Sequence, residues 1–149
     1  MMKRLILSIL LVANLGLMRA ECEYLVKIPV HKGYEAVDRE LTAHDFVLLA
    51  GEDGTYLYMD VLQSTVLIVT GDGGVITAIT YEKTDLSKKE EKSFFQSLCD
   101  EATKLYGKPH MKDKTAKDTS FVWFFADYMF CISKEKGIVS ITWISNSSK

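Results

Sequence analysis

Three histidines, three cysteines and an uneven spread of charge are the residues with which this 149-residue chain could do chemistry. His31, His44 and His110 are not spaced like metal ligands, and none lies near a cysteine in sequence, so a zinc site would have to be assembled from distant segments. His44 and Asp45 are adjacent, which places their side chains on opposite faces of a strand and argues against a dyad. No nucleophile elbow, P-loop or dinucleotide-binding glycine pattern occurs. Gly71-Asp72-Gly73-Gly74 is flanked by strand-like segments on both sides, which makes it a hairpin and not a phosphate cradle. Asp53 and Asp72 lack the ligand ladder of a calcium loop. These observations imply no cofactor, no metal and no catalytic residue, and they favour binding over catalysis.

The acids are concentrated. Residues 33–82 carry nine of them, including Glu52, Asp53, Asp60 and Asp72, against Arg39 alone, whereas residues 83–149 carry twelve lysines and nine acids. An acidic first part disfavours nucleic acid and suits a basic protein partner. In Thr55 to Val61, Tyr56, Tyr58 and Asp60 alternate with Leu57, Met59 and Val61. Tyrosines interleaved with acids offer apolar area with a polar handle, as interfaces do. The candidate partner-binding set is therefore Glu52, Asp53, Tyr56, Tyr58, Asp60 and Asp72. Lys108, Lys112, Lys114 and Lys117 lie in what reads as a long connection, a second candidate surface for anions.

Residues 1–20 read as a signal peptide: Lys3 and Arg4, then the uncharged apolar run Leu5 to Leu17, then Ala20 at the cleavage point. The run is shorter than the roughly 20 residues that span a bilayer. The chain is therefore expected to be exported, to the periplasm or outside the cell, with no membrane span after cleavage. Residues 21–145 form one domain of ordinary size, and 146–149 a polar tail. Removal of Lys3, Arg4 and Arg19 leaves a formal charge of −5. In an oxidising compartment one cysteine pair is expected, Cys99 with Cys131, stapling a helix to a late strand.

One element holds these residues in place. Ser87 and Glu90 have capping-box spacing, Phe94, Phe95, Leu98, Ala102, Leu105 and Tyr106 recur on one stripe, and Gly107 with Pro109 ends the helix. Around it the chain reads as strands: Tyr24 to Val30, Phe46 to Ala50, Thr55 to Val61, Thr65 to Thr70, Val75 to Glu82, Ser120 to Ala126, Tyr128 to Ser133 and Gly137 to Ser145. Tyr34 to His44 reads equally as helical turn, loop or strand. The pattern predicts an α+β fold, an antiparallel sheet of about seven to eight strands with one long helix packed on one face, in the order meander, helix, meander. No internal repeat is visible. Several strands are apolar on both faces, and one helix covers only one face, so the other must curl, pack on a second sheet or meet a partner. The functional expectation is a protein-partner binder, such as an inhibitor, an immunity protein or an envelope accessory factor. The alternatives are a secreted hydrolase whose site joins distant residues, and a self-associating structural protein forming a homodimer.

Overall fold

The computed structural model describes residues 21–146; residues 1–20, read from the sequence as a signal peptide, and the last three residues of the expected tail lie outside the described residues. The long helix, α3 (Lys88–Tyr106), has the ends its sequence specifies. Ser87 Oγ accepts from the Glu90 N–H at 3.2 Å, and the Glu90 carboxylate accepts from the Ser87 N–H at 2.8 Å. Gly107, at φ 79°, closes the far end by donating to the Thr103 carbonyl. Phe94, Phe95, Leu98, Cys99 and Ala102 form the buried stripe.

Eight antiparallel strands form one sheet: β1 (Val47–Glu52), β2 (Thr55–Met59), β3 (Thr65–Thr70), β4 (Ile76–Lys83), β5 (Met111–Lys114), β6 (Asp118–Phe124), β7 (Tyr128–Glu135) and β8 (Ile138–Ser145). Their order across the sheet is β1-β2-β3-β4-β8-β7-β6-β5. The α+β expectation holds, with eight strands and one long helix on one face.

The order reveals a duplication the sequence does not show. A ten-residue helix, α2 (Tyr34–Ala43), precedes β1 to β4, and α3 precedes β5 to β8. Each half is a helix followed by a four-strand meander, and the last strands of the halves, β4 and β8, pair at the centre. One pair of equivalent turns shares its backbone: β3–β4 turns through Gly73 and Gly74 (φ 68° and 74°), β7–β8 through Lys136 and Gly137 (φ 45° and 81°), whereas β1–β2 has positive φ at Asp53 and Gly54 and its counterpart β5–β6 has none. Consecutive positive φ values match the twist of the flanking strands. The two meanders are thus related by an approximate two-fold axis between β4 and β8.

Three expectations need correction. Tyr24 to Val30 is not a strand. Residues 21–26 are helical (α1) and end before Pro29, with a 3₁₀ turn at Val30–Lys32. Cys22, Leu25 and Val26, at i, i+3 and i+4, are fully buried, so tertiary packing overrides the β preference of Val and Ile. The lysine-bearing segment after α3 is not a long loop. It folds into the β5–β6 hairpin, whose turn is clamped by Thr115 Oγ1 donating to Asp118 Oδ1 at 2.6 Å and by the Thr115 N–H donating to the Asp118 carbonyl at 2.9 Å. The Cys99–Cys131 disulfide is absent, and all three cysteines are free. In β7, Phe130 and Ile132 point into the core while Cys131 shares the opposite face with Met129 and Ser133. The sheet thus stands between Cys131 and Cys99. Burial pushes the Cys22 and Cys99 thiols up to about 12.

The helices share one side of the sheet. Phe95 meets Phe121 edge-on, Tyr106 meets Phe130 and Trp143, Tyr34 stacks on Tyr56, and the Tyr81 hydroxyl donates to Glu21 of α1. Polar tips of buried aromatics end on backbone carbonyls: Tyr106 on Val26, Trp123 on Gly107, Tyr128 on Ile76. Among the described residues the buried Trp143 Nε1 has no such acceptor. Among the described residues nothing covers the opposite face. Leu57, Leu67, Thr80, Thr142, Cys131, Val122 and Met111 form one row across it. Val69, Ala78, Ile144, Met129 and Phe124 form the next, on the side of the β1–β2 turn. A third, on the other side, runs Met59, Thr65, Glu82, Ser140, Ser133, Ser120 and Asp113.

Candidate functional site

The meander decides which candidate residues meet. β1 and β2 are joined by Asp53 (φ 48°) and Gly54 (φ 78°). The Gly54 carbonyl accepts from the Thr70 N–H at 2.7 Å, and a Cβ on Gly54 would lie 3.0 Å from the Thr70 carbonyl oxygen. Only glycine allows this approach. The contact brings Glu52 and Asp53 to the end of the sheet where Asp72 opens the β3–β4 turn, and all three are exposed.

Asp60 lies at the opposite end, where one carboxylate oxygen accepts from the Leu62 and Ser64 N–H groups at 2.9 and 2.8 Å and closes the β2–β3 turn. The tyrosines also leave the set as a free surface. Their alternation with Leu57 and Met59 is as expected, but they occupy the covered face. Tyr56 is half-buried and stacks on Tyr34 with ring centroids 4.0 Å apart. Tyr58 is 1% exposed, and its hydroxyl donates to Asp38 Oδ1 and lies 2.7 Å from the Tyr34 hydroxyl. Burial holds the Tyr58 hydroxyl above its ordinary pKa. Both residues fasten α2 to the sheet.

Beside the acidic turn runs a feature that sequence reasoning undervalued. β1 is an edge strand exposed along its whole length, with Val47, Leu48 and Leu49 at 62, 45 and 55%. One edge of its backbone is unpaired, and the strand is apolar, although a bulge between Leu48 and Ala50 bends it. The other edge strand, β5, is four residues long and carries Lys112, Asp113 and Lys114, as protected edges do. The signal was present in the sequence as Phe46-Val47-Leu48-Leu49, a run with no polar alternation.

A second candidate lies on the helical side. An open groove of about 330 Å³ is lined by Glu23, Tyr24, Lys27, Glu40 and His44. His44 stacks on Tyr24 at 3.7 Å, and its Nδ1 lies 2.9 Å from the Glu40 carbonyl and 3.6 Å from the Glu40 carboxylate. A hydrogen bond to the carbonyl requires Nδ1 to carry a proton. Lys27 pairs with Glu23 at 2.8 Å. A neighbouring groove of about 420 Å³ adds Lys32 and Arg39.

The remaining candidates are dispersed. His31 packs edge-on against Tyr128 at 4.9 Å, and His110 Nδ1 accepts from the Phe124 N–H at 3.1 Å. Cys22 is fully buried. Lys112 lies over the Phe121 ring. Among the described residues no three His, Cys, Asp or Glu side chains gather as metal ligands would, and no helix is long and apolar enough to cross a membrane.

No protein-family profile matches the chain, and no curated protein matches it. Among solved structures, the crystal structure of a DUF4309 family protein, YjgB from Bacillus subtilis subsp. subtilis str. 168, is similar at a TM-score of 0.38 and 11% identity. The match covers 66% of this chain and 68% of that one.

Proposed function

We propose that this chain is an exported binding protein that recognises a protein partner, in the manner of an inhibitor, an immunity protein or an envelope accessory factor. The apolar edge strand β1, uncovered and running into the acidic turn at Glu52 and Asp53, carries the reading. An exposed strand edge binds an extended segment through main-chain hydrogen bonds. Acids at its end favour a segment carrying lysine or arginine and speed the encounter. The leader-like sequence over 1–20 supports export, and the charge of the first half supports a basic partner.

The test is recovery of partners from the native organism, identified by mass spectrometry. Leu49→Lys combined with Asp53→Lys makes the edge more positive by three charges without touching the core. Loss of a partner that the unaltered protein recovers is the expected result. Undiminished recovery by a folded variant would reject the edge as the binding site.

A further inference from the structure

We propose that a basic cleft in the second half, between α3 and the β5–β6 hairpin, binds an extended acidic segment of a protein partner. Strand alternation sorts the charges here. Lys112 pairs with Phe121, and Lys114 with Thr119, which pairs in turn with Lys134. Phe121 faces α3, so all three lysines of β5 to β7 lie on the helical side. Asp113, Asp118 and Glu135, the acids of the same strands, lie on the other side.

The helix supplies the opposite wall. Lys88, Lys92, Phe95 and Cys99 stand at i, i+4, i+7 and i+11 on α3, and Phe95 marks this row as the flank that meets β6. Burial raises the Cys99 thiol and the Lys112 charge opposes that rise, so Lys112 stands within electrostatic reach of this flank. Lys114 shares its row with Lys134, which reaches Phe95 and Glu91, and so lies nearer the start of the helix, beside Lys88 and Lys92. Thr119 and the half-buried Phe121 form the floor. Lys134 is already matched by Glu91 at 3.1 Å. Among the described residues the other four lysines are exposed and pair with no carboxylate.

Shape and charge select the occupant. Because α3 stands on the sheet, the strip of β5 and β6 beside it is recessed, and a flat bilayer or a duplex cannot reach its floor. The Phe121 ring, on which single-stranded nucleic acid would stack, is capped by the Lys112 ammonium 4.9 Å from its centroid. The nine acids of residues 33–82 repel a long polyanion that continues past the cleft. A short run of Asp or Glu meets none of these obstacles. Its carboxylates reach both rows of ammonium groups, and its methylenes pack on Phe121 and the lysine stems. The cleft lies in the other half from the β1 edge and takes the opposite charge.

The test is binding of dye-labelled octaglutamate to the purified protein, read by fluorescence anisotropy. Saturable binding is expected in about 20 mM salt, weakening as salt rises to about 150 mM. Lys92→Glu and Lys112→Glu each reverse one exposed charge, one on each wall. Each should weaken binding about tenfold while the circular dichroism spectrum stays unchanged. Lys104→Glu makes the same change of net charge about 18 Å along α3 from Lys92, beyond the screening length at about 150 mM salt, and should leave the affinity unchanged there. Absence of saturable binding in about 20 mM salt would overturn the inference. So would an equal loss in Lys104→Glu, or no loss in Lys92→Glu and Lys112→Glu. Tighter binding of octathymidylate, or of phosphatidylglycerol vesicles, would overturn the choice of an acidic polypeptide.

Discussion

The two halves of the molecule share a plan and differ in how they are fastened. In the second half a nineteen-residue helix begins at a capping box and buries five residues of one stripe. In the first half a ten-residue helix begins at Gly33 with no side-chain cap and buries Val37 and Leu41. Each half holds a partly buried ion pair at 3.1 Å, Glu91 with Lys134 in the second and Glu21 with Lys83 in the first, and Glu91 also accepts from the Gly137 N–H. The first half adds the hydroxyls of Tyr34 and Tyr58 with Asp38. Their charges also diverge. The β1–β2 and β3–β4 turns carry Glu52, Asp53 and Asp72, whereas the β5–β6 and β7–β8 turns mix Lys114, Lys117 and Lys136 with Asp118 and Glu135. A duplicated scaffold thus keeps one half as the firmer platform and leaves an acidic, uncovered edge on the other. Less tightly held elements are where binding surfaces tend to lie.

Core truncation tests this contrast most strongly. Leu98→Ala on α3 should cost about 3–5 kcal/mol, and Leu41→Ala on α2 about 2–3 kcal/mol because a short peripheral helix collapses more easily around the lost methyls. Urea unfolding at pH 7 measures both, and equal losses would show the halves to be equally fastened.

The helix starts come next. Gly33 holds φ 83° and ψ 179°, a region essentially reserved for glycine, and a Cβ there would sit 3.4 Å from the Gly74 carbonyl oxygen. Gly33→Ala should cost about 1–3 kcal/mol, and Ser87→Ala about 1 kcal/mol. A negligible loss at Gly33 would mean that α2 is not set by the backbone of its first residue.

The smallest effect at neutral pH is electrostatic. The Gly137 N–H, with help from Lys134, holds the Glu91 carboxyl below its ordinary value of 4.5. A depressed carboxylate pKa adds stability above the unfolded value, and that stability is lost as pH falls through the folded one. Glu91→Gln should therefore flatten the decline in stability below about pH 4.5. An unchanged acid limb in pH-dependent unfolding would show that this tie contributes nothing.

The long helix was legible because its signals are local: Ser87, Glu90 and Gly107 act within one turn of where they stand. The β1–β2 and β3–β4 hairpins were legible because their turns carry Asp53-Gly54 and Asp72-Gly73-Gly74. α1 was not, since Val26 and Ile28 favour strand and only packing of Cys22, Leu25 and Val26 against distant elements makes the segment helical. β5 escaped because an exposed edge strand buries nothing and shows no period. The duplication is written in topology, not in residue identities. Of the proposed binding residues, Glu52, Asp53 and Asp72 were placed together by short turns that the sequence announces. Tyr58 faced inward because α2, ambiguous in sequence, settles on its side of the sheet. The β7 alternation of Phe130, Cys131 and Ile132 already implied that Cys131 faces away from the helix.

Both tryptophans of the chain, Trp123 and Trp143, lie on β6 and β8 and are buried, at 0 and 3% exposure. The first half holds none. Intrinsic tryptophan emission therefore watches only one of the two meanders. Fraying of α2 and β1 would be spectroscopically silent in that signal, although far-ultraviolet dichroism would register it.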